Sequence, residues 1–231
     1  MRALEKNNKG FSILELVVVI AIIGLVSAVA YPSFSDWRQE RIARGAAIKI
    51  KSLMEGINAQ VQRGLYSFVQ VHINSTSERI TIVSKGMKSN TLASKINDGA
   101  HAWNTTPASR CDTTDDYWDD VGGDSVMQVQ KIELEDITTT FTGDAAVCFS
   151  KNARWYSGKE NFLSGTEPDT SIDETMFVCV RSDDNPNCVV SETSGEPEDK
   201  EHKNLFSINW TRFGEITMDK WSPALDDWAL Q

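Results

Sequence analysis

The 231-residue chain lacks the short motifs that assemble catalytic or zinc sites. It has no G-x-S-x-G, P-loop, G-x-G-x-x-G or H-E-x-x-H sequence, and C-x-x-C does not occur. Only three histidines are present, and they lie apart from the four cysteines in the sequence. We therefore expect a protein that is not an enzyme and that carries no catalytic cofactor.

Basic residues are also scarce. The chain has 23 Lys and Arg against 33 Asp and Glu, which gives a net charge of −10. Tight binding of nucleic acid depends on neutralising phosphates with basic side chains. Because no basic surface is evident outside the N-terminal helical part, we do not expect a nucleic-acid partner.

Charge is almost absent from residues 11–31, where the single charged side chain is Glu15. As a helix, at about 1.5 Å per residue, this stretch spans roughly 31 Å, which matches the ~30 Å hydrocarbon core of a bilayer. A carboxylate inside such a helix costs several kcal/mol unless it finds a partner. The run therefore predicts a transmembrane helix in which Glu15 has a specific function.

A partner for Glu15 is suggested by the short basic leader, residues 1–10, which ends in Gly10. Cleavage after Gly10 would give Phe11 a free α-ammonium group, one helical turn before Glu15. In a stack of parallel helices, Glu15 of one chain would face the Phe11 ammonium of the next. Such pairing in an apolar medium would set the axial register of an assembly.

The stretch from Lys9 to about Pro32 resembles the class III signal of type IV pilins and type II secretion pseudopilins. The resemblance implies cleavage after Gly10 by prepilin peptidase, N-methylation of Phe11 and a role for Glu15 in assembly. Pro32 falls where many members of this family have a helix-kinking proline, and we expect a kink there rather than a helix end. The implied partners are prepilin peptidase, other pilin or pseudopilin subunits and the inner membrane.

The helical period continues beyond Pro32, which predicts an amphipathic helix over residues 32–64 that ends near Gly64. Residues 65–231 alternate with a period of two in several segments, which predicts an antiparallel β-sheet or sandwich and an α+β fold. Residues 85–124 interrupt this pattern as an insertion. The predicted strands cover residues 69–73, 80–83, 126–134, 145–149, 175–181, 188–191, 205–210 and 215–218. This arrangement resembles H-type minor pseudopilins and related minor pilins.

The four cysteines, Cys111, Cys148, Cys179 and Cys188, allow three disulfide pairings. Cys179 and Cys188 flank a turn-rich loop, which favours that pair and, by default, Cys111–Cys148. Buried free thiols are the alternative. Disulfides agree with a globular domain on the extracytoplasmic side of the membrane and an N-terminus in the cytoplasm.

The insertion contains a cluster of aspartates without a base. Hard cations such as Ca²⁺ take oxygen ligands, so this cluster is a candidate calcium site, although its spacing is not that of an EF-hand. A solvated acidic loop is the default interpretation. The candidate ligands are Asp112, Asp115, Asp116, Asp119 and Asp120.

The favoured function is a prepilin-like structural subunit, more typical of a minor than of a major one, in a type IV pilus or type II secretion pseudopilus. One alternative is a single-pass, membrane-tethered ligand-binding domain that does not polymerise. A second is a secreted hydrolase with a signal peptide, because Ala28-Val29-Ala30 is an A-x-A cleavage site. Its mature chain would begin at Tyr31, whereas the pilin interpretation requires Phe11.

Overall fold

A computed structural model describes ten stretches of the chain. Within them, the backbone but not the side chains of residues 28–33 and 154–157 is described. The described residues are 12–97, 111, 118, 126–140, 143–151, 154–157, 175–182, 188–191, 195–211 and 215–231. The chain divides into two compact units, Met1–Gln39 and Glu40–Gln231. The first unit holds the beginning of a long helix, and the second holds the rest of that helix together with all the β-strands.

Helix α1 covers Ile13–Gln62 and is 50 residues long. It continues through Pro32, so the proline does not end it, as the sequence predicted. In the first unit its apolar side chains are exposed, from Ile13 (84%) to Leu25 (72%). Among the residues the structure describes, none of the helices offers an uncharged stretch with the length and hydropathy that crossing a bilayer requires.

In the second unit α1 is amphipathic because its buried positions recur every three or four residues. The buried residues are Ala43, Ala46, Ala47, Ile50, Leu53, Met54, Ile57 and Val61. The helix ends in a Schellman motif, in which Leu65 N–H donates to the carbonyl of Gln60 and Gly64 N–H to that of Val61. Gly64 has a φ of 77°, which a glycine adopts without steric cost.

Ten strands form two antiparallel sheets of five strands each. The first sheet has the order β3-β2-β1-β5-β6 and the second the order β10-β9-β8-β7-β4. A short helix, α2, covers Ser89–Asn97. The strands are β1 Phe68–Ser75, β2 Arg79–Met87, β3 Val126–Glu135, β4 Ile137–Thr139, β5 Gly143–Ser150, β6 Arg154–Ser157, β7 Thr175–Val180, β8 Leu205–Trp210, β9 Ile216–Ser222 and β10 Asp227–Leu230.

One hydrophobic core joins the second half of α1 to a face of both sheets. Val69, Val71 and Ile73 of β1 and Phe206 and Ile208 of β8 lie in it together with the buried helix residues. The opposite faces are also covered, each by a smaller cluster. Burial on both faces explains why strands such as β1 show almost continuous burial rather than strict alternation.

The two sheets are joined at a sharp corner between β3 and β4. Asp136 is the single residue between these strands, and its φ of 58° lies in the left-handed region. The backbone N–H of Arg181 donates to the Asp136 carbonyl at 2.9 Å. Nη2 of Arg181 also donates to the carbonyls of Thr76, at 2.8 Å, and Ile137, at 2.9 Å, and so connects a turn of the first sheet to the second sheet.

The predicted α+β fold is confirmed, with a long N-terminal helix followed by antiparallel sheets. One predicted strand, residues 188–191, is wrong, because this segment makes only an isolated bridge between Val190 and Pro197. The disulfide at Cys188 fixes it across the second sheet instead of within it. Helix α2 and the short strands β4, β6 and β10 were not predicted.

Candidate assembly site

Ser12 caps the N-terminus of α1. Its Oγ accepts the backbone N–H of Glu15 at 3.1 Å, and its carbonyl accepts the N–H of Leu16 at 3.2 Å. The first N–H groups of a helix have no partner within the helix, and a serine side chain at the N-cap satisfies one of them. The helix therefore begins immediately after Ser12, two residues beyond the predicted cleavage point.

Glu15 occupies the third position of the helix and lies exposed in its first turn. A carboxylate is favourable there because the helix dipole places partial positive charge at the N-terminus. Ser12 and Glu15 form the S-x-x-E pattern of a capping box, a signal that was present in the sequence but missed. Glu15 thus has a local electrostatic environment that suits its charge, in addition to its predicted role between chains.

Three other predicted positions cannot be placed around this cap. Gly10 and Phe11 lie outside the described residues, so cleavage, methylation and the pairing of Glu15 with an ammonium group stay predictions. The backbone at Pro32 is helical, but its side chain is outside the described set, and the predicted kink is likewise untested.

Residues 16–26 of α1 are apolar on every side of the helix. Five consecutive residues, Leu16, Val17, Val18, Val19 and Ile20, are each 44–60% exposed, which places apolar side chains around the whole circumference. A helix of this kind is stable when it is surrounded by lipid or by other helices. No Cβ built at Gly24 would meet an atom within 4 Å, so the described chain leaves room there for close approach.

Both favoured disulfides, Cys111–Cys148 and Cys179–Cys188, are confirmed, with Cα atoms 5.8 Å apart in each. Each bond covers the outer face of one sheet, and all four sulfur-bearing residues are buried. The loops they close span 37 and 9 residues. Loop-closure entropy then gives stabilisations of about 4 and about 3 kcal/mol.

A cleft of about 410 Å³ lies beside the Cys179–Cys188 bond. Val189 and Leu205 give it apolar walls, and Glu198, Asp199 and His202 give it polar ones. Burial lowers the pKa of His202, and the nearby charge of Asp199 opposes that shift. His202 Nε2 is buried without a hydrogen-bond partner among the described residues. Burial therefore favours the neutral form of the His202 ring over its charged form.

A polar network occupies the outer face of the second sheet. Asn209 Nδ2 donates to Asp219 at 2.7 Å, and Asn209 Oδ1 accepts the hydroxyl of Thr175 at 2.7 Å. Burial raises the pKa of Asp219, while the hydrogen bond from Asn209 favours the ionised form. These hydrogen bonds connect the three neighbouring strands β7, β8 and β9.

The aspartates proposed as calcium ligands, Asp112, Asp115, Asp116, Asp119 and Asp120, lie outside the described residues. Within the described part of the chain, no group of three or more His, Cys, Asp or Glu side chains is arranged to hold a metal ion. Calcium binding therefore stays a prediction of the sequence.

A protein-family model described as the prokaryotic N-terminal methylation motif matches residues 6–31. The chain is 37% identical over 62 residues to the type IV major fimbrial protein FimA of Dichelobacter nodosus, covering 27% of this chain and 36% of FimA. It thus spans about a third of the length of the first curated relatives that it matches.

Longer matches extend beyond the N-terminal helix. The fimbrial protein EcpC of Eikenella corrodens is 32% identical over 127 residues, covering 43% of this chain and 83% of EcpC. Fimbrial protein Q of Moraxella bovis is 30% identical over 100 residues, covering 42% of this chain and 63% of that protein. No solved structure matches the chain.

A capped apolar helix that leads into a disulfide-bonded β domain defines a pilin-like class of protein. The methylation motif and the match over most of EcpC identify the family. The chain belongs to the type IV pilin family, which confirms the resemblance seen in the sequence.

Proposed function

We propose that this chain is a prepilin-like structural subunit, cut after Gly10 by prepilin peptidase and assembled through residues 11–31. The assembly would be a type IV pilus or a type II secretion pseudopilus. The observation that carries the proposal is the exposed apolar first half of α1, capped at Ser12 and lying within the methylation motif. Its relatives are named as fimbrial proteins, which supports a structural rather than an enzymatic role.

The exposed apolar surface of α1 would be covered first by lipid and then by the helices of other subunits. Before assembly, lipid would surround the helix, and residues 11–31 would cross the inner membrane with the N-terminus in the cytoplasm. After assembly, neighbouring helices would replace lipid. Gly24 and Ser27 provide small side chains at which helix backbones approach closely, as in packed membrane helices.

Glu15 would set the register between subunits. The Ser12 cap orients the first turn so that its N–H groups and the Glu15 carboxylate lie at the same end of the helix. An ammonium on Phe11 of an adjacent chain would neutralise Glu15 in a medium where an unpaired carboxylate is costly. The cap and the pairing are compatible because the cap uses the backbone N–H and leaves the carboxylate available.

The β domain would lie on the extracytoplasmic side. Two buried disulfides support this location, because such bonds persist in oxidising compartments and are rare in the cytosol. A minor role is favoured by the large domain with its insertion, because a repeating shaft requires compact and mutually compatible subunits.

The test combines N-terminal mass spectrometry with a charge variant. In cells with prepilin peptidase the mature chain should begin with methylated Phe11, and in cells without it the leader should stay attached. Glu15→Leu should still insert in the membrane but should disappear from sheared filaments. Glu198→Leu is the matched control, because it makes the same change at an exposed acid of the β domain and should assemble normally.

Three results would contradict parts of the proposal. A mature N-terminus at Tyr31 would show an ordinary secretory signal instead of a prepilin leader. Normal assembly of Glu15→Leu would eliminate the register role of Glu15, and a correctly processed chain that never enters filaments would indicate a tethered domain that does not polymerise.

A further inference from the structure

Two large aromatic side chains are exposed near the end of the first unit. Phe34 is 61% exposed and Trp37 is 52% exposed, and their ring centroids lie 5.6 Å apart. They are three positions apart on α1 and so share one face of the helix. Arg38, also exposed, follows Phe34 by four residues and lies on the same face. This cluster of Phe34, Trp37 and Arg38 is here termed the aromatic–arginine cluster.

The aromatic–arginine cluster lies about one bilayer thickness along α1 from the first residue of the helix. Phe34 follows Ile13, the first residue of α1, by an interval that spans about 32 Å at the helical rise of ~1.5 Å per residue. That distance is close to the ~30 Å thickness of a bilayer hydrocarbon core. The charged residues Asp36 and Arg38 begin immediately here, after a stretch that has carried no charge since Glu15. The cluster therefore marks the change from an apolar to a polar helix surface.

The chemistry of these side chains suits the boundary between lipid and water. Indole rings are enriched there because an apolar body and a polar N–H meet both environments. An arginine buries its aliphatic stem against apolar surface while its guanidinium group reaches the headgroups. In water, the rings of Phe34 and Trp37 leave apolar surface exposed to solvent, which a lipid surface would cover.

We propose that the aromatic–arginine cluster is an interfacial anchor that binds the phospholipid headgroup layer and fixes the depth of α1 in the bilayer before assembly. This inference rests on the proposed membrane insertion of the precursor. The partner is a lipid surface, and the length of helix that precedes the cluster is the argument for it. A neighbouring protein subunit on the same face is the competing occupant.

The depth of Trp37 can be measured in the full-length chain. The protein would be labelled with 5-fluorotryptophan and placed in phospholipid nanodiscs, and the Trp37 ¹⁹F signal would be identified by its loss in Trp37→Phe. Spin labels attached to the headgroup or to the end of the acyl chain would then broaden nearby signals. Trp210 and Trp221, which are buried in the β domain, serve as internal controls.

We expect the headgroup label to broaden the Trp37 signal more than the acyl-chain label does, and neither label to affect Trp210 or Trp221. Replacement of Phe34 and Arg38 by alanine should reduce the headgroup effect, because the anchor is weakened. Stronger broadening by the acyl-chain label, or no broadening in a chain that cosediments with lipid, would overturn the anchor alone. If the Trp37 signal were shielded from solvent only in assembled filaments, Trp37 would belong to a subunit interface, and this result would also overturn the anchor. Failure of the chain to cosediment with lipid would overturn the anchor and membrane insertion together.

Discussion

The ring of Tyr66 lies against the α-carbon of Gly86, so that a Cβ built on Gly86 would be 2.7 Å from the Tyr66 ring carbons. Gly86 is in β2 and Tyr66 precedes β1, which means that the ring packs on the backbone of the neighbouring strand. Both residues are buried. A glycine is therefore required at this position to allow the close contact.

We expect Gly86→Ala to lower the free energy of unfolding by about 1–3 kcal/mol, because the added methyl group overpacks a filled site. Urea denaturation of the full chain in detergent would measure the change. Gly56→Ala is the matched control, since a Cβ at this helical position meets no described atom within 4 Å. It should leave the free energy of unfolding unchanged or raise it by about 0.5–1 kcal/mol. Equal effects of the two substitutions would refute the packing argument.

The Ser12 cap gives a second prediction. Ser12→Ala should destabilise the first turn of α1 by about 1 kcal/mol and so accelerate amide exchange of Glu15 and Leu16 about fivefold. Ser12→Asp should retain the slow exchange, because aspartate is an equally good N-cap. Hydrogen exchange followed by NMR in detergent micelles would test both variants. Unchanged exchange in Ser12→Ala would show that the hydroxyl does not hold the helix end.

His202 gives a prediction on pH. Because burial lowers the pKa of His202, the unfolded chain binds a proton there more tightly than the folded chain does. The free energy of unfolding should therefore have its full value above the pKa of about 6.5 that His202 has in the unfolded chain. It should fall as the pH drops from there toward the lower pKa of His202 in the folded chain. Denaturation curves between neutral and mildly acidic pH would show the loss.

Two variants isolate this contribution. In His202→Gln the loss of stability below neutral pH should be smaller than in the unmodified chain. In Asp199→Asn the loss should extend to lower pH, because the charge that opposes the shift is removed. Identical pH profiles for His202→Gln and the unmodified chain would show that His202 does not contribute.

The strands that were predicted correctly are those with a strong local pattern. Val69, Val71 and Ile73 alternate with polar residues, and their segment pairs with β2 and β5 as a central strand. Helix α1 was evident from its apolar stripe and from Gly64 at its end. In these segments the spacing of nearby apolar residues determines which side chains are buried, so the sequence alone is sufficient to predict the element.

The elements that were missed depend on distant partners. Strand β4 has three residues and exists because it pairs with β7, and β10 exists because it pairs with β9. Helix α2 buries only Thr91 fully, which is too weak a pattern to recognise. In the candidate site, Glu15 stood out because a charge in an apolar run is conspicuous, whereas the S-x-x-E signal of the Ser12 cap was overlooked. Exposure of Phe34 and Trp37 likewise became visible only in three dimensions.

The corner at Asp136 would have a mechanical consequence in a subunit of the proposed fibre. Because a single residue separates β3 from β4, this corner is a very short covalent path by which tension passes from one sheet to the other. Arg181 adds a second link between the sheets, because it bonds to Thr76 in the turn between β1 and β2 and to Ile137 in β4. Under traction the β domain should therefore yield as one body instead of losing a single strand by peeling.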